Sequence, residues 1–510
     1  MGRGRVKGHQ AHHSRDKRKP NKEKDEEMSS QGVTPQSEDY ARWYNDVVLK
    51  ADLAEYAPTP GCMTIKPYGY ELWEGIQAAL NGRFKATGHR NAYFPLLIPM
   101  SFIHKEAEHV EGFAPELAVV THGGGKELEE PLVIRPTSET VIGHSFAQWI
   151  HSYQDLPLLI NQWANVVRWE MRPRLFLRTR EFLWQEGHTA HATEEEAFEE
   201  TMRILDIYAD FAVNEAAIPV VRGKKSNKEK FAGAAESYSI EGMMGNKWAL
   251  QSGTSHLLGQ NFAKAFEIKY LSKENKLEHC WTTSWGVSTR IIGAIIMAHG
   301  DDKGLRLPPR LAPIQVVIVA IFKTEDEKAS VLAAVERLRD GLVSAGVRVH
   351  VDAREGMTPG FKFNDWEMRG VPLRMEVGPR DVSQGTVLLS RRDVPGKEGK
   401  EAVPIERLIP TVETRLAKIQ AGLLEQATRF RDANLHEARS LAELSQIVAD
   451  GWALLWHCGT AECEAKIQEE TKASSRCFPL DRNAEWFSKG ETCAVCGKPA
   501  QGLAYFARAY

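Results

Sequence analysis

The sequence lacks several features that would place it in a specialised class of protein. No apolar run approaches the roughly 20 residues of a transmembrane helix, and the first residues, MGRGRVKGHQ, lack the apolar core of a secretory signal. Seven cysteines in 510 residues are too few for a disulfide scaffold. A net charge of -3 argues against a generic nucleic-acid coat. We therefore expect a cytoplasmic protein with no membrane partner.

Motifs of several common enzyme folds are also missing. The sequence has no Walker phosphate loop, no paired-glycine dinucleotide fingerprint after a strand, and no nucleophile elbow. These absences argue against P-loop enzymes, dinucleotide-dependent enzymes and serine hydrolases of the elbow type.

The chain is too long for one hydrophobic core and divides into four parts. Residues 1–36 form a polar arm, basic up to Lys24 and then acidic, which is expected to be disordered. It is either a solvated terminus or a weak RNA-contacting tail. The run LPPRLAP marks a boundary near Leu307. The predicted domains beyond the arm are 37–308, 309–410 and 411–510.

Local patterns predict several elements of the first domain. Leu72, Ile76, Leu80 and Phe84 recur every four residues, which predicts an amphipathic helix that ends near Gly88. The next segment, NAYFPLLIP, contains two prolines and is predicted to be an edge strand, a position that invites a partner.

The second domain is predicted to be a compact α/β unit. An apolar strand at 313–321 precedes a capping box formed by Thr324 and Glu327. A helix is then expected to run to about Gly346, followed by a strand at 347–351. The segments TPGFKFNDWE, VPLRMEV and TVLLS predict a short helix and two more strands, and a long helical stretch leads to the C-terminal part.

Two neighbouring segments carry the strongest chemical signal. LPLLINQWANVVRWE is predicted to be a strand that places Arg168 and Glu170 on one face. After a loop containing four arginines, EFLWQEGH predicts an antiparallel partner strand. The partner carries, on one face, Phe182, Trp184, Glu186 and His188. An arginine on a rigid strand is suited to stabilise the α-phosphate of an activated acyl group, and Arg168 fits that task.

This pair of segments resembles the second signature motif of class II aminoacyl-tRNA synthetases, and its details are similar to the prolyl-tRNA synthetase family. GHRNAYFPLLIP resembles the first motif, whose proline, here Pro95, lies at a dimer interface. WGVSTRIIGAIIMAHGDDKGL resembles the third motif and supplies Arg290. RPTSET and QSGTSH resemble two further family segments. An isolated RxE is more often a surface ion pair, but five segments in family order outweigh that interpretation.

The resemblance implies a class II antiparallel sheet flanked by helices, and a proline--tRNA ligase that uses ATP and Mg²⁺. Glu170 and Glu181 are candidate Mg²⁺ ligands. The implied catalytic residues are Arg168, Glu170 and Arg290. The implied proline-binding residues are Thr137, Glu139, Arg168, Trp184, Glu186, His188 and His256. The implied ATP-binding residues are Arg168, Glu170, Arg178, Thr179, Phe182, Gln251, Thr254, Ser288 and Arg290. Ser288 stands where the family often has threonine, and the hydroxyl is retained.

The resemblance also implies a homodimer whose partner is tRNA(Pro). The short interval between Glu186 and Gln251 resembles the archaeal and eukaryotic-like branch, which lacks the inserted editing domain.

The α/β domain resembles the anticodon-binding module of class II enzymes. Its implied anticodon-binding residues are Lys362, Asp365, Arg374, Glu376 and Arg380, with Asp381 beside them. Alternatively, Arg374 and Glu376 form an ion pair within the sheet. The C-terminal carboxylate, at Tyr510, is expected to fold back towards the first domain.

The C-terminal part, an α/β domain, carries a cysteine pattern suited to a metal. Cys458 and Cys463 form C-x4-C, and after a long spacer Cys493 and Cys496 form C-x2-C. Four thiolates at such spacings predict a tetrahedral, structural Zn²⁺ site. The alternatives are four unligated thiols, or a site in which Cys477 replaces one ligand. Cys62 and Cys280 are predicted to be buried apolar residues.

A second functional class is a non-catalytic RNA-binding relative that kept the fold and lost the chemistry. Such a protein should have lost its phosphate-binding arginines, whereas Arg168, Arg178 and Arg290 are all present. Threonyl, seryl, glycyl and histidyl enzymes share the class II framework, and the TSE segment together with QEGHTAH favours proline.

Overall fold

The computed structural model describes residues 32–105, 117–483 and 491–510. Most of the arm expected at 1–36 therefore lies outside the described residues. The helices of the first domain are α1 Tyr40–Lys50, α2 Pro67–Ala86, α3 Met100–Ile103, α4 Glu139–Trp149, α5 Glu194–Asn214, α6 Asn261–Ala265 and α7 Arg290–His299. Its strands are β1 Ala54–Tyr56, β2 Met63–Ile65, β3 Arg90–Asn91, β4 Leu97–Pro99, β5 Ala118–Gly123, β6 Lys126–Ile134, β7 Leu158–Val167, β8 Glu181–His191, β9 Val220–Lys224, β10 Glu236–Met243, β11 Ala249–Gly259, β12 Lys269–Leu271, β13 Leu277–His279 and β14 Trp281–Ser288.

Helix α2 confirms the periodicity prediction. Leu72, Ile76, Leu80 and Phe84 are fully buried in the main hydrophobic core. Each such side chain contributes roughly 1.5–3 kcal/mol by leaving water. Pro67 occupies the first turn, where its missing N–H costs no hydrogen bond.

The centre of the first domain is an antiparallel run of strands in the order β9, β10, β11, β14, β8, β7. The predicted hairpin is present, since β7 and β8 pair antiparallel along their whole length. The prediction that Arg168 and Glu170 extend the strand is wrong, because β7 ends at Val167. The amide of Glu170 instead donates to the carbonyl of Arg168 at 2.7 Å, and the chain turns into the basic loop.

The segment NAYFPLLIP forms two short strands instead of the single one predicted. Strand β3 is the last strand of the large sheet and pairs parallel with β7. Strand β4 lies at the edge of a separate three-stranded sheet, in the order β4, β6, β5. Pro95 falls between them, and its lack of an N–H donor explains why pairing is interrupted there.

The second domain is the predicted α/β unit. Its elements are β15 Val316–Ala320, α8 Glu325–Ser344, β16 Val349–Asp352, α9 Pro359–Met368, β17 Leu373–Val377, α10 Pro379–Gln384, β18 Thr386–Arg391 and β19 Lys400–Pro404. The sheet order is β16, β15, β17, β18, β19, with the first three strands parallel. The capping box of Thr324 and Glu327 is confirmed. Helix α11, Leu408–Ala433, packs its apolar face on this domain's core.

The C-terminal domain continues the sheet of the first domain. Its elements are β20 Leu435–Ala438, α12 Leu441–Ile447, β21 Trp452–His457, α13 Ala461–Thr471, β22 Ser474–Pro479, α14 Leu480–Asn483 and β23 Gly502–Ala507. Strand β22 pairs antiparallel with β9, which places Phe478 opposite Lys224. The result is one eleven-stranded sheet, in the order β20, β21, β23, β22, β9, β10, β11, β14, β8, β7, β3.

A glycine permits the junction between the two domains. A Cβ atom on Gly223 would lie 2.4 Å from Sγ of Cys477 and 2.8 Å from the carbonyl oxygen of Phe478. Both distances are far inside van der Waals contact, so any larger residue would push β9 and β22 apart.

Within the described ranges, no helix is both long enough and apolar enough to cross a bilayer.

Candidate active site

A cavity of about 240 Å³ lies against strands β8, β11 and β14 of the central sheet. The structure brings nine of the predicted residues to its wall: Thr137, Glu139, Arg168, Trp184, Glu186, His188, Gln251, Thr254 and His256. Residues that the sequence did not single out complete the lining: Lys225, Glu229, Phe231, Ser237, Ser284, Trp285 and Gly286.

The TSE segment presents a hydroxyl and a carboxylate together. Thr137 Oγ1 donates to Glu139 Oε2 at 2.6 Å, and both residues are buried. The preceding Arg135 fixes the segment, since its buried guanidinium donates to the carbonyls of Phe94 and Asn165, each at 2.7 Å. One hydroxyl and one carboxylate match the two N–H donors of a secondary ammonium.

Glu186 is the centre of a buried hydrogen-bond network. Its Oε1 accepts from Ser138 Oγ at 2.5 Å and from Gln162 Nε2 at 2.8 Å, and its Oε2 lies 3.0 Å from Nε2 of His188. Burial acts to lower the pKa of His188, but the hydrogen bond to Glu186 and the charge of Glu139 outweigh it, and that pKa is raised. The pair therefore favours an imidazolium held between carboxylates.

His256 forms the opposite kind of surface. Its ring stacks on Phe231 with centroids 4.7 Å apart, and Nδ1 lies 2.8 Å from Oγ of Ser237. Burial lowers the pKa of His256 to about 4. The imidazole is therefore neutral at physiological pH and, with Phe231, offers an apolar face.

Arg168 directly follows the last residue of β7, at the end of the hairpin where the basic loop joins β7 to β8. Its Nε donates to the carbonyl of Pro136 at 3.0 Å, and its guanidinium lies 5.3 Å from the ring of Trp184 and 5.6 Å from that of Phe182. These cation–π contacts hold the side chain over the aromatic surface of β8.

Arg290 and the basic loop approach one another near Arg168. The Nε of Arg290 donates to the carbonyl of Leu177 at 3.1 Å. Burial, together with the charges of Arg178 and Arg168, lowers the pKa of Arg290 to about 10. Guanidinium groups that repel one another in this way form a site for an anion. Oγ of Ser288 accepts from the amide of Arg290 at 3.2 Å, at the start of α7.

The end of the chain reaches the same loop, as expected. Arg178 Nη2 donates to the terminal carbonyl oxygen of Tyr510 at 3.2 Å, and Nη1 lies 3.6 Å from Oε2 of Glu170. Thr179 is buried and donates to the backbone carbonyl of Glu181 at 2.6 Å.

The residues predicted to read the anticodon have partners within their own domain. Arg374 Nη2 lies 3.0 Å from Oε1 of Glu376, so the in-sheet ion pair that the sequence allowed is present. Lys362 is buried with Nζ 3.5 Å from the carbonyl oxygen of Ala320. Asp365 pairs with Arg354 at 2.8 Å. Arg380 is exposed at the start of α10.

The cysteines of the C-terminal domain converge on one point. The candidate ligand atoms of His457, Cys458, Cys463 and Cys493 all lie within 4.8 Å of one another. Cys496 Sγ lies 3.8 Å from Cys458 Sγ. Nδ1 of His457 accepts from the amide of Gly459 at 3.0 Å, so the proton of the neutral ring is on Nε2. That tautomer leaves His457 no lone pair for a metal, which favours Cys496 as the fourth ligand.

Cys477 lies apart from this cluster. It is fully buried beside Gly223 in the strand junction, and burial raises the pKa of its thiol. Cys280 is buried as predicted, whereas Cys62 is only partly buried.

The pocket residues missed in the sequence fall into three groups. Trp285 and Gly286 begin the WGVST segment and Ser284 directly precedes it, so the motif itself pointed to this part of the chain. Lys225, Glu229 and Phe231 belong to the polar run KSNKEKF, which shows no periodicity and no motif. Ser237 lies on β10, a strand that no motif marks. Only the fold brings them to the cavity.

Comparison with known families agrees with the three-domain structure. Residues 120–299 match the tRNA synthetase class II core domain (G, H, P, S and T). Residues 315–415 match an anticodon-binding domain, and residues 441–510 match the C-terminal domain of prolyl-tRNA synthetase.

Full-length relatives are similar over nearly the whole chain. The proline--tRNA ligase of Symbiobacterium thermophilum is 57% identical over 96% of this chain and 100% of its own length. Proline--tRNA ligase 2 of Rhodococcus jostii is 58% identical over 91% of this chain and 96% of its own length. The chloroplastic/mitochondrial proline--tRNA ligase of Arabidopsis thaliana is 55% identical over 96% of this chain and 90% of its own length. The chain belongs to the prolyl-tRNA synthetase family, with a class II core, an anticodon-binding domain and the family's C-terminal domain.

Proposed function

We propose that the protein is a proline--tRNA ligase whose cavity binds L-proline and ATP side by side. In the first step a carboxylate oxygen of proline attacks the α-phosphorus of ATP, a P–O bond forms, and diphosphate leaves. In the second step a ribose hydroxyl of the 3'-terminal adenosine of tRNA(Pro) attacks the carbonyl carbon, and AMP leaves. The observation that carries the proposal is that Thr137 and Glu139 share one cavity with Arg168.

The cavity has the two charged ends that this substrate needs. Glu139 with Thr137 supplies acceptors for the cationic secondary amine. Arg168 supplies a cation for the carboxylate and the α-phosphate, with little reorganisation because its position is already fixed. Trp184 and His188 line the space between them and suit a small ring.

Two polar atoms in the wall support a ligand-binding role. Nε1 of Trp184 and Oγ of Ser284 are buried and have no hydrogen-bond partner among the residues that the structure describes. Buried polar groups normally have partners. Both residues line the cavity, so a ligand that fills it is placed to supply them.

Arg168, Arg178 and Arg290 would hold the phosphates of ATP. Their mutual repulsion, which contributes to the lowered pKa of Arg290, would be relieved by a polyanion. Phe182 would stack on the adenine, and Glu170 would accept from its amino group. Magnesium would neutralise the diphosphate that leaves. The candidate carboxylate ligands for this ion are those of Glu170 and Glu181. The remaining members of the proposed ATP site are Thr179, Gln251, Thr254 and Ser288.

We infer that the enzyme has the organisation of the archaeal and eukaryotic-like branch, without an inserted editing domain. Between β8 and β11 the chain forms α5, β9 and β10, and all three pack on the central sheet or extend it. This arrangement supports an interval without a separate folded unit. A pocket discriminates by only about 1–3 kcal/mol per methylene, so some alanine or cysteine would be activated. Without an editing domain, this chain would not remove the mischarged products.

The second domain would bind the anticodon loop of tRNA(Pro). The proposed contacts are Lys362, Asp365, Arg374, Glu376 and Arg380. Lys362 is buried, and Asp365, Arg374 and Glu376 are in ion pairs, so the exposed Arg380 is the most accessible of them. A basic group that is exposed, such as Arg380, is suited to contact phosphates or unstacked bases.

The cysteine cluster would hold a structural Zn²⁺ with Cys458, Cys463, Cys493 and Cys496 as ligands. The donor set fits this ion, because four thiolates satisfy a tetrahedral shell and leave no open position. When bound, the ion would fix the loop after β21 to the turn before β23.

An apolar surface on the first domain supports a homodimer. Tyr93, Leu97 and Trp149 are exposed at 73%, 41% and 46%. Tyr93 and Leu97 lie on one short segment around Pro95, and Phe94 next to Tyr93 packs on Trp149 with ring centroids 5.8 Å apart. Exposed apolar residues grouped in this way mark interfaces. This segment carries the first motif, and we name its exposed side, with Tyr93, Leu97 and Trp149, the Tyr93–Leu97 surface.

A cytoplasmic location is the simplest proposal for a protein-synthesis enzyme. The names of the Symbiobacterium and Rhodococcus relatives mention no organelle, while the Arabidopsis relative is named for organelles. Fractionation of cells that express the chain with a C-terminal tag would test it.

The decisive experiment is ATP–diphosphate exchange with each of the twenty amino acids in turn. Exchange that depends on L-proline supports the proposal. A flat response to all twenty, from a folded protein that still binds tRNA, would establish the non-catalytic RNA-binding function instead. Aminoacylation of tRNA(Pro) transcript then tests the second step.

A further inference from the structure

A buried ionic triad joins the C-terminal domain to the wall of the cavity. Glu241 on β10 is completely buried. Its Oε1 accepts from Nζ of Lys225 at 3.0 Å, and its Oε2 accepts from Nη2 of Arg476 at 3.0 Å and from its Nε at 3.2 Å. Lys225 lines the cavity, whereas Arg476 lies on β22 of the C-terminal domain.

The triad is fully connected. Nζ of Lys225 also donates to the backbone carbonyl of Arg476 at 2.9 Å, and Ser239 Oγ donates to Oε1 of Glu241 at 2.9 Å. Burial acts to raise the pKa of Glu241, but the charges of Arg476 and Lys225 outweigh it, so that pKa is lowered and the carboxylate stays ionised. The group holds two cations and one carboxylate, so either cation alone still balances Glu241. Loss of both cations leaves a buried carboxylate without a partner, which is strongly unfavourable.

Lys225 begins the segment that closes one side of the cavity, residues 225–231, which we name the pocket loop. Glu229 and Phe231 of this loop line the cavity. The far end is fixed because the amide of Phe231 donates to Ser237 Oγ at 2.9 Å and its ring stacks on His256. The near end is fixed by the triad.

The C-terminal domain holds the middle of the loop as well. Nζ of Lys228 donates to Oε1 of Gln468 on α13 at 2.9 Å. The strand that leads into the loop, β9, pairs with β22, and Lys224 stands opposite Phe478. The loop therefore takes its position from two domains at once.

We propose that Arg476 of the C-terminal domain is a positioning residue for proline binding, acting through Glu241 on Lys225 and the pocket loop. The cavity is then complete only when β22 is paired with β9. This rests on the proposed function, because it takes the cavity to be the proline site.

A double-mutant cycle in the full-length enzyme tests the inference. Lys225→Met and Arg476→Met are made singly and together, and kcat and the KM for proline are measured by ATP–diphosphate exchange. Each single change is expected to raise KM for proline about 10- to 100-fold, the range for loss of a charge-assisted hydrogen bond, with a smaller effect on kcat. The double variant also carries Glu241→Gln, so that no buried carboxylate is left without a cation. If Arg476 acts through Lys225, this variant is no worse than the more severely affected single variant.

Controls separate positioning from general stability. Asp450→Ala removes another ion pair between the same domains, Lys247 with Asp450 at 2.5 Å, away from the cavity residues. It is expected to leave KM for proline unchanged. Arg476→Lys retains the charge and is expected to recover part of the affinity; it replaces Arg476→Met in the cycle if the latter does not fold.

The outcomes distinguish this inference from the proposed function. Unchanged KM in the folded Lys225→Met and Arg476→Met variants, or effects that simply add when the two changes are combined, overturn it while wild-type exchange remains. A folded wild-type enzyme without proline-dependent exchange overturns the proposed function and this inference with it.

Discussion

The hydroxyl of Thr137 donates to the carboxylate of Glu139 across 2.6 Å in the buried wall of the cavity. The two side chains are therefore already arranged for a cationic ligand before it arrives. A secondary ammonium can meet both oxygens without rearrangement of the segment, which lowers the cost of binding.

We predict that Glu139→Gln raises the KM for proline in ATP–diphosphate exchange by about 10- to 100-fold. The amide keeps the shape but loses the charge that pairs with the secondary ammonium, and hydrogen bonds to charged groups contribute about 1.5–3 kcal/mol. Glu129→Gln, on the exposed part of β6, is the matched control. An unchanged KM in the Glu139→Gln enzyme would remove Glu139 from the proline site.

Arg168→Ala should lower kcat/KM for exchange by at least about 100-fold. The charge that develops on the α-phosphate loses a fixed partner, and removal of one such donor costs about 2.7–4 kcal/mol. Arg172→Ala, an exposed residue of the same basic loop, should stay within about twofold of the wild type. Near-normal exchange by the Arg168→Ala enzyme would contradict the role assigned to that arginine.

Cys493→Ser should release the metal and loosen the C-terminal domain. We expect bound zinc, measured by elemental analysis of the purified protein, to fall from one per chain to none, and proteolysis to begin within 441–510. Cys62→Ser should keep its zinc, since Cys62 lies outside the cluster. Cys496→Ser and His457→Gln decide the fourth ligand, and loss of zinc in the second but not in the first would exclude the four-cysteine site.

Leu97→Arg on the Tyr93–Leu97 surface should convert a dimer into a monomer, because a charge cannot be buried there without a partner. Sedimentation velocity gives the mass directly. Val343→Arg, on an exposed position of α8 in the second domain, should leave the assembly unchanged. A wild-type protein that sediments as a monomer at micromolar concentration would refute the proposed dimer.

Acid should destabilise the fold through buried histidines such as His299. Its Nε2 donates to the carbonyl of Ala216 at 2.9 Å, and burial lowers the pKa of His299 to about 4. Below the unfolded pKa near 6.5 the unfolded chain takes up the proton first, so stability falls as pH drops from about 6.5 towards 4. The loss of stability due to His299 reaches about 2 kcal/mol at pH 5.

We therefore expect His299→Gln to show a smaller fall in melting temperature between pH 7 and pH 5 than the wild type. His436→Gln, at an exposed position on β20, should track the wild type. Parallel pH profiles for all three proteins would show that His299 is not a determinant of acid sensitivity.

Local signals predicted local structure well. The four-residue spacing of α2 and the capping box of α8 are encoded within single elements, and both are present. The end of β7 was predicted too late, because apolar alternation continues to Trp169, whereas the chain turns after the Arg168 amide has donated to the carbonyl of Arg180. Periodicity records side-chain character and does not record where pairing stops.

The candidate site was predicted as far as motifs reach. Thr137 and Glu139 come from one segment, Arg168 and His256 from two others, and the structure places all four in one cavity. The pocket loop was not predicted, since its position depends on Arg476, far along the chain. A contact between distant strands leaves no trace in the spacing of either one.

The closeness of Gly223 to Cys477 has a consequence for shortened forms of the protein. Truncation before β22 would remove the strand partners of Gly223 and Lys224 and expose the buried junction around them, and an edge strand left open in this way recruits another copy of itself. A shortened chain should therefore come out of expression as aggregate, and its loss of activity would say nothing about whether the missing residues take part in chemistry.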